Sequence, residues 1–438
     1  MNFKKVASVI SALCMMCAVI PVLPAQNTHS LTVQAYEIGE DNLGYDLKTN
    51  SETGENYAVV LGTKEKRAEI IIPEIFTASD GSLYLVTEIQ GAGFLNSGAF
   101  WNDDVLERVV IGKNVKTIGQ EAFENDTALK EIQFSEGLEI IEPWGFSKCT
   151  ALESVTLPAS LKLIEGQAFR QNDNLKTVEF LGGNDLVIGS YAFYGDKVLE
   201  TLVMGEGVSE IKDAFSYCEA LSNVQLSPTL KTIGTNAFSY CTALTEIEIP
   251  ASVETIGESA FHMDSNLKTI KLNEGLKTIA RTAFWLTGVE ELTIPSTVES
   301  IGNQAFECRN LKTITFLGKE TPIGGSIPKT AVIHGYEGST AQEYAEKNGY
   351  TFELIDSAPE TSETETESQS GEMMLGDADN NQKIDILDVI TLNKAVMGKE
   401  TLSENSLKAI DFNQNGKPDS EEALTILKYI VGLVTELT

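Results

Sequence analysis

The chain has 438 residues, 42% of them hydrophobic, so most of it can fold, and its length calls for more than one unit. With 64 acidic against 32 basic side chains its formal charge is −32. Such a field repels phosphate backbones and argues against nucleic-acid binding.

Residues 1–35 read as a secretory signal. Lys4 and Lys5 precede an apolar run from Val6 to Val22, broken by Pro21 and Pro24, with small residues at Ala25 and Ala35. Cleavage after Ala35 fits slightly better than after Ala25. The run is interrupted too early to cross a bilayer comfortably, and no second long apolar run follows, so no membrane span is expected. Residues 36–88 contain strand-like stretches, EIIIP from Glu69 and YLVTEI from Tyr84, and are expected to form an N-terminal cap.

An internal repeat fills residues 89–355. Its marker is Ala-Phe, at Phe100, Phe123, Phe169, Phe193, Phe215, Phe238, Phe261, Phe284 and Phe306, with Gly145-Phe146 as an imperfect tenth copy. The spacing is 22 to 24 residues throughout. In the unit opening at Leu221, Val224 and Leu226 fall on one face of a short strand and Asn223 and Gln225 on the other. Ile233-Gly234 reads as the next corner, and Ala237-Phe238 fills the interior from the opposite wall. No single unit can bury its own apolar face; stacking makes one continuous core. The fold expected is a mainly β solenoid of α+β class.

Four cysteines follow the signal: Cys149, Cys218, Cys241 and Cys308. Each lies three residues before the leucine opening the next unit, where other units have Asp126, Asn172, Asp196 or Asp264. A small side chain at a corner explains them; a Cys218–Cys241 disulfide between adjacent units is the alternative. Paired CxxC spacing is absent, so zinc is not suggested.

The recurring L-x-x-I-x-L…L-x-x-I-G-x-x-A-F unit, over residues 89–320, resembles the leucine-rich repeats of the BspA-like bacterial surface-protein family. By that resemblance, the segment from His334 to Ile355 is the C-terminal cap. Residues 356–374, with DSAPETSETETESQSGE from Asp356, are too polar and acidic to fold and are expected to be a linker.

The last module, 375–438, contains a duplication: LGDADNNQKIDILDVITLNKAVMG, and 34 residues further on AIDFNQNGKPDSEEALTILKYIVG. Asp377, Asp379, Asn381, Lys383, Asp385 and Asp388 map onto Asp411, Asn413, Asn415, Lys417, Asp419 and Glu422. Oxygen-bearing side chains at loop positions 1, 3, 5, 9 and 12, with a backbone carbonyl from the lysine at position 7, are the donor set of a calcium loop. Two loops predict two calcium ions. Val389, Leu392 and Val396, then Leu424, Ile426 and Ile430, predict an amphipathic helix after each loop. Each loop has one fault: Gln382 stands where a positive φ favours glycine, and Pro418 removes a backbone donor.

This pair resembles a type I dockerin, a small all-α paired calcium-loop module. The resemblance implies docking onto the cohesin domain of a scaffoldin in a cellulosome-type assembly. It also implies two alternative contact sets, Ile386, Leu387, Asn393 and Lys394, or Ser420, Glu421, Leu427 and Lys428. Nothing between signal and linker resembles a catalytic domain: HExxH, GxSxG and P-loop patterns are absent. Acidic pairs are too plentiful for counting to exclude a glycosidase dyad. The expected function is therefore that of a secreted, non-catalytic, cohesin-docked interaction protein whose repeats bind a protein or glycan. A carbohydrate-binding accessory and an unrecognised hydrolase of polysaccharide degradation are the alternatives.

Two surfaces of the array compete for that ligand. The strand face carries Lys130, Glu131 and Gln133, then Glu153, Ser154 and Thr156, then Thr245, Glu246 and Glu248. Just after the phenylalanines stand Trp101, Tyr194, Tyr217, Tyr240 and Trp285. Tyr217 and Tyr240 share a register in neighbouring units, and a ligand-contacting edge is expected there.

Overall fold

The computed structural model describes residues 35–93, 97–183, 185–324 and 326–355. Beyond these it describes 375, 376, 378, 389, 391, 392, 395, 396, 402, 404–412, 417, 418 and 420–430. The expected signal segment up to residue 34 and the linker lie outside the described residues. The chain divides into two compact units, Met1–Ser357 and Ala358–Thr438.

Unit one is a β-solenoid. Its N-terminal end is an antiparallel cap: β1 (Ala35–Ile38) pairs β2 (Leu43–Thr49), which pairs β3 (Asn56–Thr63). Strand β6 (Leu83–Ile89) then joins β3 in parallel and starts the ladder of repeats. Each later turn adds a two- to four-residue strand to this sheet, from β8 (Thr117–Ile118) through β18 (Thr232–Ile233) to β24 (Ser300–Ile301). Ile233 is thus the end of a strand rather than a corner; the bend falls at Gly234. A Cβ on Gly257, one turn on, would sit 2.5 Å from the Gly234 carbonyl carbon, so glycine is what lets successive corners approach this closely.

The opposite wall is built from the L-x-x-I-x-L segments. These form shorter parallel sheets, such as β11 (Ser154–Leu157), β13 (Thr177–Phe180), β15 (Thr201–Met204) and β17 (Asn223–Gln225) in order. Alternation places Val155, Val178 and Leu202 inside and Ser154, Thr156 outside.

The third wall carries the phenylalanines. All ten are buried, and each ring stacks on the next with centroids between 4.9 and 6.3 Å apart. Their separation matches the spacing of neighbouring strands, so one residue per turn makes a continuous aromatic column. The alanine before each is also buried, apart from the half-buried Ala99 of the first turn; at the imperfect copy, a Cβ on Gly145 would lie 3.0 Å from Ile141 Cγ2. The array closes on β26 (Val332–Gly335), helix α1 (Thr340–Asn348) and β27 (Phe352–Leu354). Helix α1 is capped by Ser339, whose side chain accepts the Gln342 N–H, ends at the left-handed Gly349, and buries Ala341 and Ala345.

Unit two contains α2 (Glu404–Ile410) and α3 (Ser420–Ile430). Its core joins Ala378, Val389, Leu392, Ile410, Ala423 and Ile426. Val389, Leu392 and Ile426 are inside as expected, but Val396 and Leu424 are 40% and 49% exposed. Ala423 takes the inward place of Leu424 in α3, three residues before the buried Ile426.

Candidate functional sites

The corner after each phenylalanine makes the most distinctive surface of the array. Tyr217 and Tyr240 stack face to face with centroids 4.4 Å apart and planes 8° apart. The row extends on both sides. Tyr194 lies 5.3 Å from Tyr217, with the Arg170 guanidinium over its ring. His262 meets Tyr240 edge-on at 5.4 Å and stacks on Trp285 at 4.8 Å. Sequence reasoning grouped Trp101, Tyr194, Tyr217, Tyr240 and Trp285 together. The structure joins all but Trp101 into one ladder and adds Arg170 and His262.

The ladder changes register along its length. Tyr194, His262 and Trp285 directly follow their phenylalanines, whereas Tyr217 and Tyr240 come one residue later, behind the buried Ser216 and Ser239. Those serines turn inward: Ser216 Oγ donates to the Asn236 carbonyl and Ser239 Oγ to that of His262. Tyr217 and Tyr240 thereby occupy a left-handed corner, with φ of 62° and 64°. Every other turn from Asn102 to Leu286 has the same left-handed corner: Asn102, Asn125 and Gly195 take it readily, and Lys148, Gln171, Met263 and Leu286 also hold it. A tyrosine there costs about 1–2 kcal/mol in backbone strain.

Around these rings lies a cleft of 560 Å³ whose walls include Gln167, Tyr191 and Asn236 besides the ladder. Tyr191, which the sequence did not single out, is 42% exposed and stands at 86° to Tyr194. The nearby Asp213 carboxylate, also its hydrogen-bond partner, pushes the Tyr191 phenol above its ordinary range. Burial and then the neighbouring tyrosines raise Tyr217 in the same sense, and burial lowers His262, so each shift favours the neutral form.

The strand face is occupied differently. Lys130 pairs with Glu107 at 3.0 Å, Arg108 with Glu131 at 3.0 Å, and Lys271 with Glu248 at 2.6 Å. Partners are one turn apart. Each exposed pair is worth about 0–1 kcal/mol.

Between the walls runs a polar column that contains the four cysteines. All four are buried free thiols, so Cys218 and Cys241 are not bridged. Cys149, Cys218, Cys241 and Cys308 donate to phenylalanine carbonyls one turn back, at 3.2 to 3.4 Å. Asp126, Asp196 and Asp264 hold the same place, each accepting the backbone N–H of the residue one turn earlier. Their second oxygens, Oδ2, are buried without a hydrogen-bond partner. Burial pushes the Asp126 carboxyl up to about 9 and raises Asp196 and Asp264 well above the carboxylate range. The column therefore holds neutral acids.

In unit two, Glu422 lies in the first turn of α3 and is 2% exposed, with Asp411 at the end of α2. The Gly376 N–H donates to the Ala409 carbonyl at 2.7 Å, which sets the start of the first loop beside the start of the second. A carboxylate this deeply buried, at the twelfth position of a loop whose sequence offers oxygen donors, fits a hard cation such as calcium. Lys417 is exposed, consistent with a ligand that offers only its carbonyl. Asp377, Asp379, Asn381, Lys383, Asp385, Asp388, Asn413, Asn415 and Asp419 lie outside the described residues, as do Ile386, Leu387, Asn393 and Lys394. Ser420, Glu421, Leu427 and Lys428 share α3, where Lys428 is exposed. Among the described residues no three acidic, cysteine or histidine side chains converge as a metal site, and no helix is long and apolar enough to cross a membrane.

Comparison with known proteins assigns both units. The BspA type leucine rich repeat region matches residues 94–218 and 186–312, in six copies. The type I dockerin domain matches residues 375–431. Among solved structures, the chain is similar to the pneumococcal vaccine antigen PcpA, at 20% identity over 74% of this chain and 100% of that one, with a TM-score of 0.37. It is also similar to a leucine-rich repeat protein from Bacteroides ovatus, at 20% identity over 71% and 98% of the two chains, TM-score 0.37. A leucine rich cell surface protein from Faecalibacterium prausnitzii matches at 20% identity over 71% and 97%, TM-score 0.32. No curated protein matches the chain.

Proposed function

We propose that this chain, which belongs to the BspA-type leucine-rich-repeat family and carries a C-terminal type I dockerin, is an exported, non-catalytic docking protein. Its dockerin attaches it to a scaffoldin cohesin in a cellulosome-type assembly, and its repeats present a binding surface. The observation that carries this reading is the joining of the two modules in one chain. Type I dockerins are calcium-binding, and their general partner is a cohesin. In this chain Asp377, Asp379, Asn381, Asp385 and Asp388 would hold one ion, and Asp411, Asn413, Asn415, Asp419 and Glu422 a second, with carbonyls of Lys383 and Lys417 completing the sets. Calcium supplies the positive charge on which these oxygens converge; the chain's own part is to hold the helices that carry the cohesin contacts.

The duplication gives two nearly equivalent contact faces. Altering Leu387 and Lys394 together is expected to leave cohesin binding largely intact. Altering Glu421 and Lys428 as well is expected to abolish it, as read by calorimetry against a panel of recombinant cohesins. Complete loss from the first pair alone rejects the two-face arrangement, and no binding to any cohesin rejects the docking role.

A further inference from the structure

We propose that the corner cleft between the turns of Phe169 and Phe261 binds a segment of uncharged polysaccharide lying along the array axis. This rests on reading the repeats as the binding surface. Tyr191 supplies the ring on which a sugar stacks, and the Tyr194, Tyr217 and Tyr240 ladder supplies hydroxyls and ring edges.

Size comes first. The 560 Å³ of the cleft falls within the roughly 300–1,000 Å³ of ligand sites. Lining chemistry narrows the class. Every lining side chain carries a polar atom: four tyrosines, His262, two serines, Gln167, Asn236 and Arg170, with no aliphatic residue among them. The centre of a protein–protein interface is about 65% apolar, which this cleft is not. A sugar offers apolar C–H faces and a rim of hydroxyls, and rings with polar edges match both.

Charge narrows it further. The chain has twice as many acids as bases, yet no carboxylate lines the cleft. Its one lining cation, Arg170, donates to Gln167 Oε1 and lies over Tyr194. A polyanion would meet the −32 field of the whole chain with a single lining guanidinium to offset it.

Ring geometry then assigns roles. Tyr217 and Tyr240 spend one face on each other, and their outer faces meet Tyr194 and His262. Their edges and hydroxyls are what remain, repeating at the spacing of the turns. Tyr191, perpendicular to Tyr194 and steadied by Asp213, keeps at least one face clear of the ladder.

The test uses the full chain with calcium in affinity electrophoresis through gels containing mixed-linkage β-glucan, arabinoxylan or glucomannan, and polygalacturonate as the anionic comparison. Retardation by at least one neutral polymer is expected, and none by polygalacturonate. Y217N/Y240N keeps the left-handed corners, so its melting temperature should move by only a few degrees, while its affinity falls about tenfold or more. Y191N, which leaves the ladder intact, should lose affinity similarly. No retardation by any neutral polymer, retardation only by polygalacturonate, or undiminished retardation of Y191N overturns the proposal. So does capture of a protein ligand that Y191N and Y217N/Y240N retain. Cohesin binding, measured on the same preparations, reports separately on the docking role.

Discussion

Replacing Asp126, Asp196 and Asp264 with asparagine is expected to stabilise the array near pH 8 and flatten its pH dependence. All three carboxyls are buried, each accepts one backbone N–H, and each leaves Oδ2 without a partner. Their other charged or titratable neighbours are few: Asp103 and Lys66 around Asp126, Asp173 near Asp196, and the buried thiols of the same column. The folded-state values are raised, so the folded state holds its protons more tightly than the unfolded chain. The associated stability is fully present below the unfolded value near 4 and is lost as pH rises toward the folded values, about 9 for Asp126. Linkage makes the loss at most about 1.4 kcal/mol per pH unit per group, or about 4 kcal/mol each between pH 5 and 8. Relaxation and water entry should trim this to on the order of 1–2 kcal/mol each. Asparagine fits the site, since Asn172 occupies the same register and its Nδ2 donates to the Phe169 carbonyl at 2.6 Å. Thermal unfolding across this pH range should show a falling melting temperature for the wild type. The triple variant should gain on the order of 5 °C near pH 8 and little near pH 5. A variant less stable than wild type at pH 8, or a wild-type slope that survives the three substitutions, would refute neutral acids in the column.

Chelating calcium should remove helical signal from the C-terminal module and leave the repeats folded, and calorimetry should count two ions; unchanged circular dichroism with no binding heat would contradict the loop reading. The four column thiols should resist a water-soluble thiol reagent until the array is denatured, because burial raises them and hides them; rapid labelling of the native chain would place them elsewhere. Phe238→Ala removes a ring stacked between Phe215 and Phe261 and should cost about 3–5 kcal/mol, read as a lower urea midpoint; a loss under about 1 kcal/mol would mean the column does not hold the turns together.

The solenoid was legible because its two signals are periodic. Phenylalanine every 22 to 24 residues and alternation at Val224 and Leu226 together demand stacking. The second strand of each turn was less legible: at Thr232–Ile233 it is two residues long, too short for a pattern, and is defined only by pairing with the turns above and below. The cysteine register was read as requiring a small side chain. What it requires is a neutral hydrogen-bonding one, a distinction visible only once the carbonyls one turn back are in place. Arg170, His262 and Tyr191 escaped notice for a related reason. Arg170 and His262 share the offset of Tyr194 and Trp285 but are neither tyrosine nor tryptophan, and Tyr191 lies two residues before its phenylalanine; the stacking of turns brings all three to one cleft.

The charged strand face, the obvious place to seek a ligand in so acidic a chain, is therefore the less suitable one. Lys130 reaches Glu107, Arg108 reaches both Glu69 and Glu131, and Lys271 reaches Glu248. A ligand drawn to those charges must break pairs that already hold neighbouring turns in register, and each broken pair returns little. The corner cleft is less committed: no ion pair among the described residues crosses it, and Tyr191 keeps a face clear of the ladder.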